Sequence, residues 1–324
     1  MVAVSTHRVT MPKRISNILS RKAVRVLPMK PIIIFAVLCQ ALASCGDAIR
    51  EQLIACGGDK ILIIDAQASD GADVSVVWRW QVSEAASQLP EAYQKYLVPL
   101  DECKPVDEGK NVLAASSSGG VVLIERATKK CLFYAYAPMA HSADVLPDGR
   151  IAVALSTHPK GNSIELYDRK QPGQVLFKDS LHSGHGAVWN AKRQRLYALG
   201  FDELREYSLA DWATPSPSLK LERKWTIPGK GGHDLSPVSD DELLVSEHSG
   251  VHSFDIPSET FKAFEPLKHA ENVKSVNYIK ERNRLVYTQA NGEDWWTFDI
   301  HLKNPDKTLH ISNIKLYKVR LITN

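Results

Sequence analysis

The 324-residue chain is poor in the local signatures that usually announce a chemistry. It contains no HExxH and no CxxC, so no metal or redox site can be read from a short motif. No two acids stand out as a glycosidase pair. Asn162-Ser163-Ile164 is not a glycosylation acceptor. No Pro-rich linker or low-complexity run divides the chain, which argues for one folded domain. Helical periodicity is scarce as well. Only SEAASQLPEAYQKYL at 83–97 carries it, as an insertion in an otherwise strand-like sequence. The longest apolar stretch, ending at Ala43, is roughly a dozen residues, too short to cross a bilayer.

That stretch has a different meaning. Lys30 precedes it and Leu42-Ala43-Ser44-Cys45 follows it, which resembles the lipobox read by the lipoprotein signal peptidase. Residues 29–44 are therefore expected to be a signal peptide. Cys45 is then the lipid-bearing first residue, residues 45–51 a short tether, and 52–324 the folded domain. A transmembrane anchor is the weaker reading. Residues 1–28 carry Arg8, Lys13, Arg14, Arg21, Lys22 and Arg25 and read as sequence upstream of a true start at Met29. Several of the excess positive charges lie there, so the net charge of +3 gives no reason to expect a nucleic-acid partner.

Of the five cysteines, Cys39 falls in the signal and Cys45 at the lipid site, leaving Cys56, Cys103 and Cys131. In an oxidising compartment Cys56 with Cys103 is the preferred disulfide, since both fall near the same end of neighbouring repeats. Three free buried thiols fit the sequence equally well.

The organising feature is a repeat. Six segments, beginning at Leu53, Val112, Ile151, Leu196, Leu243 and Leu285, share an apolar strand, a short polar turn and a second apolar strand. Most are followed by a third strand and five are preceded by a fourth. Four short strands in a unit of roughly 40 to 48 residues make the blade of a β-propeller. The first unit lacks its leading strand, and IKLYKVRLI at 314–322 is left over to supply it. The expected fold is all-β, a six-bladed propeller closed by the C-terminal strand, with seven blades if two units are merged. Such a ring is expected to work as a monomer.

In a propeller the starts of the innermost strands converge on one channel mouth. Those positions are Glu102 or Lys104, then His141, His185, His233 and Lys274, at steps of 39, 44, 48 and 41 residues from Glu102. Turns opening on the same face add His158, Asp202, Glu247 and His248, and Trp295 beside Trp296 offers a ring for sugar stacking. Imidazole can ligate a divalent metal or exchange a proton near neutral pH, and the spacing does not choose between these roles. Histidines that merely bond neighbouring blades remain the alternative, as does inter-blade packing for the tryptophans.

Through SSSGGVVLIER, AHSADVLPDGRIAVALSTHPKGN, SGHGAVWN, GHDLSPVS and NVKSVNY the chain resembles an uncharacterised family of bacterial lipoprotein propellers, over nearly all of the mature sequence. More loosely it is similar to the propeller polysaccharide lyases, oligogalacturonate lyase and the rhamnosyl-glucuronate lyases. That likeness implies a mouth at which histidines hold a cation such as manganese, with His141, His185 and His233 as the matching residues; calcium is the other candidate. The glutamine of the oligogalacturonate type has no counterpart, and Lys274 stands in its place.

The expected function is that of a cell-envelope lipoprotein acting on an acidic oligosaccharide, by β-elimination or hydrolysis. His185 would be the base between two space-giving glycines, with His141, His233 and Lys274 beside it. Lys104, His158, Asp202, Glu247, His248 and Trp295 would contact substrate. A propeller that binds a glycan or a protein without chemistry is the alternative.

Overall fold

A computed structural model describes residues 51–322. The segment expected to be a signal peptide and the expected lipid site Cys45 lie outside the described residues. The described chain forms six four-stranded antiparallel sheets. Their innermost strands are Leu316–Ile322, Leu100–Val106, Ala140–Val145, Gly186–Asn190, Asp234–Ser239 and Val273–Ile279, belonging to blades 1 to 6. Each touches the next and the sixth touches the first, so the ring is closed. The fold is a six-bladed β-propeller.

Closure depends on the end of the chain. Leu316–Ile322 pairs antiparallel with Gln52–Gly57, so blade 1 is built from both ends of the domain. This removes an unpaired inner edge and ties first strand to last.

The core follows from period-two alternation. In blade 2, Val112, Ala114, Val122 and Ile124 pack against blade 1, whereas Leu113, Ala115, Val121 and Leu123 pack against blade 3. Every blade is thus apolar on both faces, and six apolar clusters fill the six seams. This is why the middle strands read as nearly continuous hydrophobic runs.

Two expectations change. The helical segment at 83–97 is two short pieces, a 3-10 turn Val82–Ala85 and an α-helix Glu91–Lys95, with Pro90 at the start of the second. Proline has no N–H to continue a helix across this point. Leu89 and Leu97 anchor the insertion in the seam between blades 1 and 2. The expected disulfide is also not present: Cys56 and Cys103 are free, although both are fully buried in that seam. Cys131 is free and only half-buried. Among the described residues no helix is long and apolar enough to cross a membrane.

Candidate functional site

One residue from each blade forms the mouth of the channel. Asp101, His141 and Lys274 each occupy an extra position in the ladder at the start of their innermost strand, where the register shifts by one. The closing strand has an equivalent irregularity at Tyr317 and Lys318, opposite Cys56. His185 and His233 immediately precede their strands, and their N–H groups bond to Leu199 and Ser246, the partners of the following residues. A bulge re-aims a side chain that regular pleating would send elsewhere. Here bulges present Asp101, His141, Lys274 and Tyr317, while His185 and His233 are presented from the residue just before the strand.

The mouth opens into a cavity of about 730 Å³. His141 and His185 lie with ring centroids 4.4 Å apart, His185 and His233 5.9 Å, and His233 and His248 4.9 Å. Tyr317 meets His141 edge-on at 6.0 Å. The His248 ring fits only because residue 231 is glycine. Its φ is +71°, and a Cβ there would fall 2.1 Å from the ring nitrogen. Phe201, Trp295 and Trp296 complete the wall. Trp295 is 66% exposed, an unusual state for a large ring unless a ligand or partner uses it.

The tautomers follow from the partners. His141 Nδ1 lies 2.9 Å from the Met139 carbonyl and His185 Nδ1 2.9 Å from the Ser183 carbonyl. A carbonyl only accepts, so Nδ1 carries the proton and Nε2 is left as acceptor. Burial lowers both pKa values, that of His185 far below the ordinary range with His141 adding to the effect. His233 Nε2 instead accepts from Lys274 Nζ at 2.9 Å. Burial and then the Lys274 charge bring His233 down to about 2. The three imidazoles are therefore neutral. Burial pushes the Asp101 carboxyl up, partly offset by His141 and by a hydrogen bond from the Ser117 N–H. It pushes the Tyr317 hydroxyl up as well.

Lys274 is the unusual member. It is 1% exposed, lies under the Trp295 ring at 5.0 Å, and has no carboxylate partner among the described residues. Burial alone lowers it to about 8, so it remains mostly protonated at neutral pH. Lys315 lies over Trp296 at 4.2 Å on the same wall.

Beneath the mouth the channel is plugged. Lys318 Nζ donates to the backbone carbonyls of His141 and His185, each at 3.2 Å, and pairs with Glu102 at 3.3 Å and Asp234 at 3.1 Å. Arg320 grips the same two carboxylates at 2.7 and 2.6 Å. Two cations and two anions thus neutralise each other in a fully buried cluster, and the cavity has a floor.

Several expected site residues are not at the mouth. Lys104 shares its strand face with Glu102 but lies two residues, roughly 7 Å, further down the channel. There it donates to the Ala187 carbonyl at 2.5 Å, near the opposite end. The Nδ1 of His158 accepts from Lys160 N–H within its own turn. Asp202 is exposed at the tip of its hairpin and does not line the cavity. Glu247 is 1% exposed and closes its own turn through Ser249 and His252. No group of three or more His, Cys, Asp or Glu among the described residues is arranged to hold an ion. Lys274 occupies the one nitrogen of His233 that the other two rings leave free.

Asp101, Tyr317 and Lys318 were not anticipated. Asp101 is the bulged neighbour of Glu102. Tyr317 and Lys318 sit on the closing strand, the one innermost strand left out of the blade-to-blade comparison.

No curated protein matches the sequence. Among solved structures, one from Bacteroides caccae, described as a protein of unknown function, shares 16% identity with a TM-score of 0.56. The match covers 85% of this chain and all of the other, and extends to the fold alone. Residues 58–324 match a family of unknown function, DUF6528, and the chain belongs to that family.

Proposed function

We propose that the mouth binds an acidic carbohydrate and acts on it by β-elimination, in a protein held at the cell envelope through Cys45. The observation that carries this reading is Lys274, a buried cation without an anion. A buried charge is costly until it is paired, and a uronate carboxylate entering the cavity would supply the partner. Trp295 and Trp296 offer faces for the sugar rings.

The reaction follows from the groups at hand. Lys274 would neutralise the charge that builds on the carboxylate as the neighbouring C–H is broken. The Nε2 of His185 would take that proton, the C–H electron pair would form the double bond, and the glycosidic C–O bond would break. The leaving oxygen would take a proton from the Tyr317 hydroxyl. An anionic ligand also raises the depressed His185 pKa toward the range in which a base is effective.

Incubation of residues 46–324 with oligosaccharides of each common uronate, followed by mass spectrometry for unsaturated products, tests this. The expected result is product formation that His185→Ala abolishes; release of saturated products only, or of none from any uronate, would overturn the elimination.

A non-catalytic glycan-binding role has one specific observation in its favour. The Nε2 atoms of His141 and His185, on rings held neutral by burial, serve readily as hydrogen-bond acceptors for sugar hydroxyls. Saturable binding without turnover would establish it.

A further inference from the structure

The six innermost strands converge a second time, at the far end of the channel. Beyond the plug of Glu102, Asp234, Lys318 and Arg320 lies a separate cavity of about 240 Å³, lined by residues from all six blades. At the 30 Å³ that a liquid water occupies, this is room for roughly eight waters. It belongs to no part of the mouth.

Its polar groups have unused hydrogen-bonding capacity. Lys104 Nζ makes one hydrogen bond, to Ala187, and lies 3.9 Å from Asp144, close enough to pair in charge but too far to bond. Asp144 accepts from the Val145 and Trp189 N–H groups and keeps lone pairs free. Asn277 spends its amide N–H on the Val319 carbonyl, leaving its oxygen. Ser236 Oγ is buried without a partner. Trp189 and Tyr278 supply aromatic faces. The charges cancel, Lys104 against Asp144 and Arg320 against the plug carboxylates.

We infer that this far-end cavity is a second ligand site, for a neutral polyhydroxylated molecule the size of one sugar ring, whose hydroxyls bridge Lys104 and Asp144. A hydroxyl accepts and donates at once, so it can take an ammonium N–H and give its own proton to the carboxylate. A net-neutral lining gives no advantage to a charged ligand, in contrast to the uncompensated Lys274 at the mouth. Donors beside acceptors with an aromatic face are what a sugar ring presents to match. The inference is independent of the chemistry assigned to the mouth.

The test is saturation-transfer NMR with D-glucose, D-galactose, D-mannose and D-xylose, titrated against the wild-type domain, Trp295→Ala and Asp144→Asn. Trp295 is exposed at the opposite end and leaves the far cavity intact. Saturable binding of at least one sugar is expected in the wild type and in Trp295→Ala, weakened tenfold or more in Asp144→Asn. Should Asp144→Asn fail to fold, Lys104→Met gives the same reading, since it removes the other half of the bridge. No saturable binding of any of the four sugars overturns the inference, and so does binding that survives the far-cavity variant or is lost with Trp295.

Discussion

The Nζ of Lys274 lies 2.9 Å from the Nε2 of His233, and no carboxylate pairs with it among the described residues. Every other buried cation on the channel axis has an acidic partner: Lys318 and Arg320 share Glu102 and Asp234, and Lys104 lies beside Asp144. The exception lies behind Trp295 and His233, two residues that line the larger cavity. Under the function proposed above, a ligand carboxylate that reached Lys274 would relieve this unfavourable charge.

Lys274→Met should therefore stabilise the free protein while weakening its affinity for uronate oligosaccharides about 10- to 100-fold. Burial lowers the lysine to about 8 in the fold, against 10.5 for an unburied lysine. Its folded pKa is depressed, so between those values the unfolded chain binds more protons and stability rises with pH. The burial penalty, on the order of 3 kcal/mol, is full below pH 8 and fades toward 10.5. Denaturation of wild type and variant across this range should show the variant's advantage shrinking as pH rises. An advantage independent of pH would sink the explanation.

Lys318→Met should do the opposite. It removes the ammonium that holds both plug carboxylates and two backbone carbonyls, leaving Arg320 alone against Glu102 and Asp234. Breaking a buried pair in this way costs about 3–5 kcal/mol, and adding Glu102→Gln should recover part of it. Glu102 is driven up by burial but held down to about 2 overall, chiefly by Arg320 and then Lys318, against 4.5 for an unburied glutamate. Its contribution is present above pH 4.5 and lost as pH falls toward 2. Urea midpoints for the single and double variants at neutral pH measure both effects.

How much of this could be read from the sequence is clear from the mouth residues. Blade count, closure by the last strand and the register of His141, His185, His233 and Lys274 follow from alternation and spacing, because each repeat must satisfy the same packing. Asp101 is displaced by one residue from Glu102 because bulges are not encoded in an apolar pattern. Lys104 and Glu247 were misplaced for a related reason. Spacing fixes which strand or turn a residue occupies, not how far along the channel it lies or whether its side chain folds back on its own turn. Tyr317 and Lys318 were accessible in principle, had the closing strand been aligned with the other five.

The cysteines give a separate test. Burial, with Cys103 as neighbour, raises the Cys56 thiol well above its ordinary value, and burial raises Cys131 to about 11. Thiolate is the reactive form. Iodoacetamide at pH 8 should leave Cys56 and Cys103 unmodified in the native domain and label Cys131 slowly. In urea without reductant, all three should be labelled. Only one label in urea, with two more after reduction, would show that Cys56 and Cys103 are joined in the purified protein.

The pH dependence of binding distinguishes the lysine from the histidines. His141, His185 and His233 are held below their ordinary pKa by burial, with Lys274 and Lys318 adding to the effect on His141 and His233. Their imidazole C–H resonances should show no inflection between pH 6 and 8, whereas an exposed histidine titrates near 6.5. Lys274 does titrate at the edge of this range, and its positive form is the one that attracts a carboxylate. Affinity for a uronate oligosaccharide should accordingly fall as pH rises through about 8, and this fall should be missing in Lys274→Met. Tyr317, raised by burial, and Lys315, held over Trp296, are not the source of a step there if the variant abolishes it. A decline in wild type that persists in Lys274→Met would place the controlling charge elsewhere and remove the main support for an acidic ligand.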